Sequence, residues 1–167
     1  DVVLADATLA QGRGETERID HPPPEALVAW FEAWAGAHAR RLVVAPALTS
    51  PQVVARAADK RAAAATGAAA VEMEAAPLAR WASEHGVPFY HLRVVLDPAG
   101  SDLPPEDLHG EGDGEEGVGR YLWRAAMRPR TWPAVWRLMV QVRSAQRAMG
   151  VLGTALVGPG GPLETPG

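Results

Sequence analysis

Four short apolar runs, rich in β-branched residues and separated by stretches of helical periodicity, constrain most strongly what this chain can become. Residues 1–9, 41–48, 68–73 and 88–96 read as strands. Between the first two, Pro22-Pro23-Pro24 opens a helix in which Leu27, Trp30, Phe31 and Trp34 recur at helical spacing while Glu25 and Glu32 lie off that face. "SPQVVARAADKRAAAATG" follows the second strand, with Ser50 expected as N-cap, Pro51 at the first helical position and Gly67 as the stop. A third helix is expected from about residue 74 to 85, ended by Gly86. Strands that alternate with helices need crossover connections, so the expected class is α/β, with a mostly parallel or mixed sheet flanked by helices.

Beyond Asp97 the pattern stops. "DPAGSDLPPEDLHGEGDGEEGVG" is rich in Pro, Gly and acid without periodicity and reads as an exposed loop. Two further helices are expected, at about 117–128 and 132–149, the second carrying Trp132, Val135, Trp136, Met139 and Val140 on one face. With 167 residues, 47% of them hydrophobic, the chain has material for one core, placed in a single domain over 1–150. Residues 151–167, ending in "GPGGPLETPG", are expected to be a disordered tail. The chain opens directly in the apolar run "DVVLADATL" without an initiator Met, and a preceding N-terminal segment is expected.

Charge and composition remove several function classes. There is no cysteine, hence no disulfide or thiolate metal site. A net charge of -4 gives no general attraction to nucleic acid. It hides an uneven distribution, because no acid lies between Gly117 and Leu163, where Arg120, Arg124, Arg128, Arg130, Arg137, Arg143 and Arg147 make a region of +7. With Tyr121, Trp123, Trp132 and Trp136 interleaved, residues 120–149 have the composition of an interfacial pair of helices, and a membrane surface is a candidate partner; the commoner arrangement for such a pattern is helices packed on the sheet with their arginines facing solvent. No run reaches the ~18 apolar residues that span a bilayer and no signal-peptide pattern opens the chain, so a cytoplasmic protein is expected. His21, His91 and His109 show no ligand spacing, and "HGEGDGEEG" lacks the alternating oxygen ligands of a calcium loop, so no metal site is expected. "GRG" at 12–14 reads as a turn.

Three carboxylates stand where acids are costly. Glu72 and Glu74 lie two residues apart where the third strand hands over to a helix, and Asp97 follows the fourth strand. Ligand crevices in α/β sheets lie outside the carboxyl ends of strands, so the three could converge although about 25 residues separate them. The plainer alternative is that they cap helices and turns. Arg93 and Asp97 share parity, as do Glu72 and Glu74, which would let Arg93 pair with Glu72 and leave Glu74 free.

These residues also resemble a known family. "VEME" at 71–74, "GVPF" at 86–89 and the Arg93 to Asp97 spacing, with Lys60 and "TGA" upstream and "DVVLAD" at the start, resemble the nucleoside phosphorylase and nucleosidase superfamily. "DPAGSDLPP" and "RPRTWPAVWRLMVQVRSAQRAM" resemble its hopanoid-associated branch, whose substrate is adenosylhopane. The resemblance implies a three-layer fold and cleavage of the N-glycosidic bond of a purine nucleoside. That would proceed by phosphorolysis, with inorganic phosphate as co-substrate and no other cofactor, or by hydrolysis of methylthioadenosine, adenosylhomocysteine or futalosine. It implies Asp97 as general acid toward purine N7, Glu74 as acceptor for the ribose hydroxyls, Met73 packing on the sugar, and the backbone at Pro51, Gln52 and Val53 along the base. Glu72 and Arg93 would support them, and a homo-oligomer is expected. Two departures stand out: Leu96 occupies a position where related nucleosidases carry Ser, and the family's phosphate loop and nucleophile-handling residues would precede Asp1. A non-catalytic membrane-surface module on a truncated fold is the alternative class.

Overall fold

The computed structural model describes residues 1–12, 15–100, 102 and 132–163. In chain order the elements are β1 (Val2–Ala5), β2 (Ala7–Gln11), β3 (Thr16–Asp20), α1 (Glu25–Ala37), β4 (Leu42–Val44) and β5 (Ala47–Thr49). They continue with α2 (Ala57–Ala64), β6 (Ala70–Glu72), α3 (Ala75–His85), β7 (His91–Val94) and α4 (Trp132–Val157).

The strands form two sheets, in the orders β4-β1-β7 and β3-β2-β5-β6. Each of the first two apolar runs contributes to both. Asp6 separates β1 from β2, and Ala45-Pro46 separates β4 from β5. Proline has no N–H to give a ladder, and the Pro46 carbonyl turns instead to the Ala69 N–H at 2.8 Å. β1 runs parallel to β4 and antiparallel to β7, with Val3 opposite both Val43 and Arg93. β2 runs parallel to β5 and antiparallel to β3, and β5 runs parallel to β6 with Thr49 opposite Glu72. The class is α/β, with mixed sheets. The hairpin partner β3 has no apolar alternation, since only Ile19 of its five residues is buried, which is why the sequence reading passed over it.

Packing explains the layers. Val2 and Leu4, on one face of β1, meet Leu27, Phe31, Trp34 and Ala35 of α1 and Leu152 of α4. Leu9 and Leu48 of the second sheet meet Ala63 of α2. On α3 the buried residues are all alanines, at 75, 76, 79 and 82, and small side chains let the helix lie close to β2 and β3. Gly86 ends α3 in the left-handed region (φ +64°), which a residue without Cβ adopts at little cost.

Two boundaries differ from expectation. Ser50 does not cap α2, because its hydroxyl turns to the backbone of Gln52, accepting from its N–H at 3.2 Å and donating to its carbonyl at 2.7 Å. This local bond competes with a helical start, Pro51 stays outside the helix, and α2 begins only at Ala57. At the other end, residues 151–157 are not a tail. They continue α4, and Leu152 is a core residue. The loop and helix expected between 103 and 131 lie outside the described residues.

Candidate active site

β6, the turn into α3 and the exit of β7 meet at a cleft of about 520 Å³. Gln52, Val53, Met73, Glu74, Asp97, Glu72 and Arg93 all line it. Pro51 does not. Glu72 and Glu74 stand at the carboxyl end of β6, which runs parallel to β5, and Asp97 comes to the same cleft from beyond the end of β7, which belongs to the other sheet and is antiparallel to β1. Arg93 of β7 bridges to β6 in the other sheet, where its Nη2 donates to Glu72 Oε2 at 2.7 Å.

Glu72 is the most heavily bonded of the acids. Its Oε2 also accepts the backbone N–H groups of Glu74 and Ala75, both at 2.7 Å, and its Oε1 accepts the Thr49 hydroxyl. The Thr49 hydroxyl in turn accepts the Ala76 N–H at 3.1 Å. One buried carboxylate therefore caps the N-terminus of α3, receives a strand-end hydroxyl and ties the two sheets. Burial alone would raise its pKa. The bonds from Thr49, Glu74 and Ala75 and the charge of Arg93 together outweigh burial and hold it below the usual carboxylate value.

Glu74, two residues on, is exposed at the cleft, and its carboxylate makes no hydrogen bond or ion pair among the described residues. Met73, beside it, is half exposed. Asp97 lies three residues beyond β7 and pairs with the ammonium of Lys60, which reaches it from α2. The two side chains are only 25% and 10% exposed, so water screens the pair poorly. The sequence reading gave Lys60 no role at the site, since 37 residues separate it from Asp97.

Behind the cleft, Arg93 Nε donates to His91 Nε2 at 3.0 Å. Accepting at Nε2 leaves the neutral ring's proton on Nδ1, which is buried without a partner among the described residues. Burial first, and the Arg93 charge second, push the His91 pKa down to about 4. His21, whose Nε2 contacts the Thr8 hydroxyl at 2.8 Å, lies with its ring 6.3 Å from that of His91, and burial lowers its pKa too. The sequence placed these histidines in separate segments; the pairing of β1 with β7 and the Asp6–His21 backbone bond bring them together.

Residues 1–118 match the family model of the phosphorylase superfamily. No curated protein matches the chain. Among solved structures, a candidate 5'-methylthioadenosine/S-adenosylhomocysteine nucleosidase from Francisella philomiragia matches with a TM-score of 0.50 at 17% identity, over 92% of this chain and 61% of that one. The Campylobacter jejuni 5'-methylthioadenosine/S-adenosylhomocysteine nucleosidase matches with a TM-score of 0.47 at 20% identity, over 75% and 58%. A futalosine hydrolase mutant of Helicobacter pylori matches with a TM-score of 0.44 at 21% identity, over 57% and 49%. The chain spans about half the length of the first solved structures it matches, 49% and 50%.

Proposed function

Because the chain belongs to the phosphorylase superfamily, we propose that it serves an enzyme that cleaves the N-glycosidic bond between adenine and ribose in a purine nucleoside. The observation that carries this reading is the division of labour between the acids of the cleft. Glu72 is consumed by structure, whereas Glu74 and Asp97 face the same space with Met73 between β6 and α3. At about 520 Å³ the cleft falls within the ~300–1,000 Å³ usual for small-molecule sites.

The bond breaks through a state in which positive charge grows on the sugar and negative charge on the leaving base. Glu74, a free carboxylate with two acceptor oxygens, takes the two vicinal ribose hydroxyls and stabilises the cationic sugar by its charge. Met73 packs on the sugar. The chain at Gln52 and Val53 contacts the base edge. Asp97 hands a proton to purine N7, so the base leaves neutral.

The nucleophile we favour is inorganic phosphate, and the substrate a 5'-substituted adenosine such as adenosylhopane. The sequence likeness at "DPAGSDLPP" and along α4 supports that branch. A lipid-linked substrate also suits a cytoplasmic enzyme that works at the membrane surface, as a homo-oligomer, without other cofactors. Adenine release from adenosine, 5'-methylthioadenosine and a 5'-lipid-substituted adenosine, each with and without phosphate, tests the reading. Release only with phosphate supports phosphorolysis, and release without it makes the enzyme a hydrolase. Asp97→Asn is expected to lower kcat about 100-fold or more with little change in KM, as loss of a general acid does. Wild-type turnover by Asp97→Asn removes Asp97 from the chemistry.

A further inference from the structure

Asp97 as it stands is a poor proton donor, because it is bonded to an ammonium. In such a pair the proton sits on the nitrogen and the carboxylate accepts. The partner is also unusual within this chain, which carries 16 Lys and Arg residues of which Lys60 alone is lysine. The difference is chemical. A guanidinium keeps its proton under all ordinary conditions, whereas an ammonium is the conjugate acid of a weaker base and the only one of the two side chains able to give a proton up. Lys60 is mostly buried, on a helix anchored at its N-terminus by Asp102, whose Oδ1 accepts the Ala57 N–H at 2.6 Å. Leu96, next to Asp97, supplies no hydroxyl to orient the acid, which leaves Lys60 to do so.

Resting on the cleavage reading above, we propose that Lys60 orients Asp97 and holds the proton that Asp97 delivers to the leaving purine. As the C1'–N9 bond breaks, its electron pair passes into the purine ring. An N–H bond of Lys60 breaks as an O–H bond forms on Asp97, and that O–H bond breaks as an N7–H bond forms on the base. Lys60 is left as a neutral amine. Inorganic phosphate captures the sugar at C1', or water does so and releases a proton to solvent as its O–H bond breaks, and Lys60 takes a proton back from solvent when the base departs. Lys60 thus acts through Asp97, as a positioning residue with a proton to give. Substrate binding favours the transfer, since expelling water from the cleft penalises an ion pair relative to its neutral form.

The charged groups around the pair leave it room to act. Glu72 and Arg93 neutralise one another, Glu74 stands at the cleft, Asp102 is engaged at the start of α2, and Arg56, Asp59 and Arg61 of the α2 region are exposed. Steady-state kinetics of the wild type, Lys60→Met and Lys60→Arg with adenosine, 5'-methylthioadenosine and a 5'-lipid-substituted adenosine, with phosphate present, test the proposal. Lys60→Met is expected to lose about 100-fold in kcat with KM within about threefold. Lys60→Arg can still pair with Asp97 and is expected to keep the wild-type melting temperature, yet to stay at least about 30-fold slow in kcat with KM within about threefold. Either Lys60→Met within threefold of wild type, or Lys60→Arg with wild-type kcat, overturns the proposal alone. A wild type that releases no adenine from any of the three nucleosides overturns the cleavage reading and this inference with it.

Discussion

Glu72 and Glu74 are the same residue type two positions apart, and the fold gives them opposite fates. Glu72 is 7% exposed with four donors on its carboxylate, and Glu74 is exposed with none among the described residues. Glu74→Gln is therefore expected to fold normally and to impair ribosides about 10-fold more than 2'-deoxyribosides, since only ribosides present both hydroxyls. Equal losses on the two sugars, measured as kcat/KM, would make Glu74 structural. The buried histidines give a pH dependence whose sign is fixed. The folded pKa of His91 lies at about 4, below its unfolded value of 6.5, so the unfolded state binds the extra proton first. Its contribution is intact above pH 6.5 and is lost as pH falls toward 4, up to ~3 kcal/mol by the usual conversion of ~1.4 kcal/mol per pH unit. Melting temperature followed from pH 7 to 4 should fall more steeply in the wild type than in His91→Gln; parallel curves would refute this. The pairing of Arg93 with Glu72 was readable from strand parity, but the pairing of Lys60 with Asp97 was not. Parity speaks only of neighbours on a strand, while the approach of α2 to the end of β7 is set by tertiary packing.

Elements were legible where their own periodicity carried them. The apolar stripe Leu27, Phe31, Trp34 and the alanines of α3 specify those helices without help from distant residues. Elements whose cause is non-local were missed or misplaced. β3 is mostly polar and exists because β2 offers it a ladder, and the true start of α2 depends on how Ser50 spends its hydroxyl. The C-terminal half of α4 looked like a tail because glycines at 150 and 153 dilute its pattern, yet Ala148, Leu152, Ala155 and Leu156 fall on one face, Ala148 is buried, and the other three join the core built by β1 and α1. Leu152 is 1% exposed. Leu152→Ala is expected to cost ~2–5 kcal/mol, the range for emptying a packed leucine site, read as a lower denaturation midpoint at unchanged slope. A loss below 0.5 kcal/mol would mean that this half of the helix is dispensable to the core.

Across the whole molecule, the two ends of α4 face different surroundings. Its C-terminal half is held by the core, and Arg40 Nη2 reaches Ser144 near the middle at 3.4 Å. The N-terminal half presents Trp132, Trp136, Met139 and Val140 to solvent, with Trp136 69% exposed. At ~100° per residue these four share a face with Arg143 and Arg147, on the side away from Leu152. The helix has no acid along its 26 residues. Among the described residues no helix is long and apolar enough to cross a membrane. An apolar face with indole rings, continued by arginines, instead matches the boundary of an anionic bilayer, where rings enter the headgroup layer and guanidinium groups meet phosphate. A lipid-linked nucleoside would be presented at the same boundary. The protein is therefore expected to sediment with vesicles containing about a third phosphatidylglycerol at low salt, and to be released as salt shortens the screening length to ~3 Å near 1 M. Trp136→Ser should weaken binding at every salt concentration, because it removes inserted apolar surface rather than charge. Arg143→Gln should weaken binding mainly at low salt, where its charge is unscreened. If the wild type stays in the supernatant with anionic vesicles at low salt, the exposed face serves another purpose, and a freely diffusing 5'-substituted adenosine becomes the better substrate.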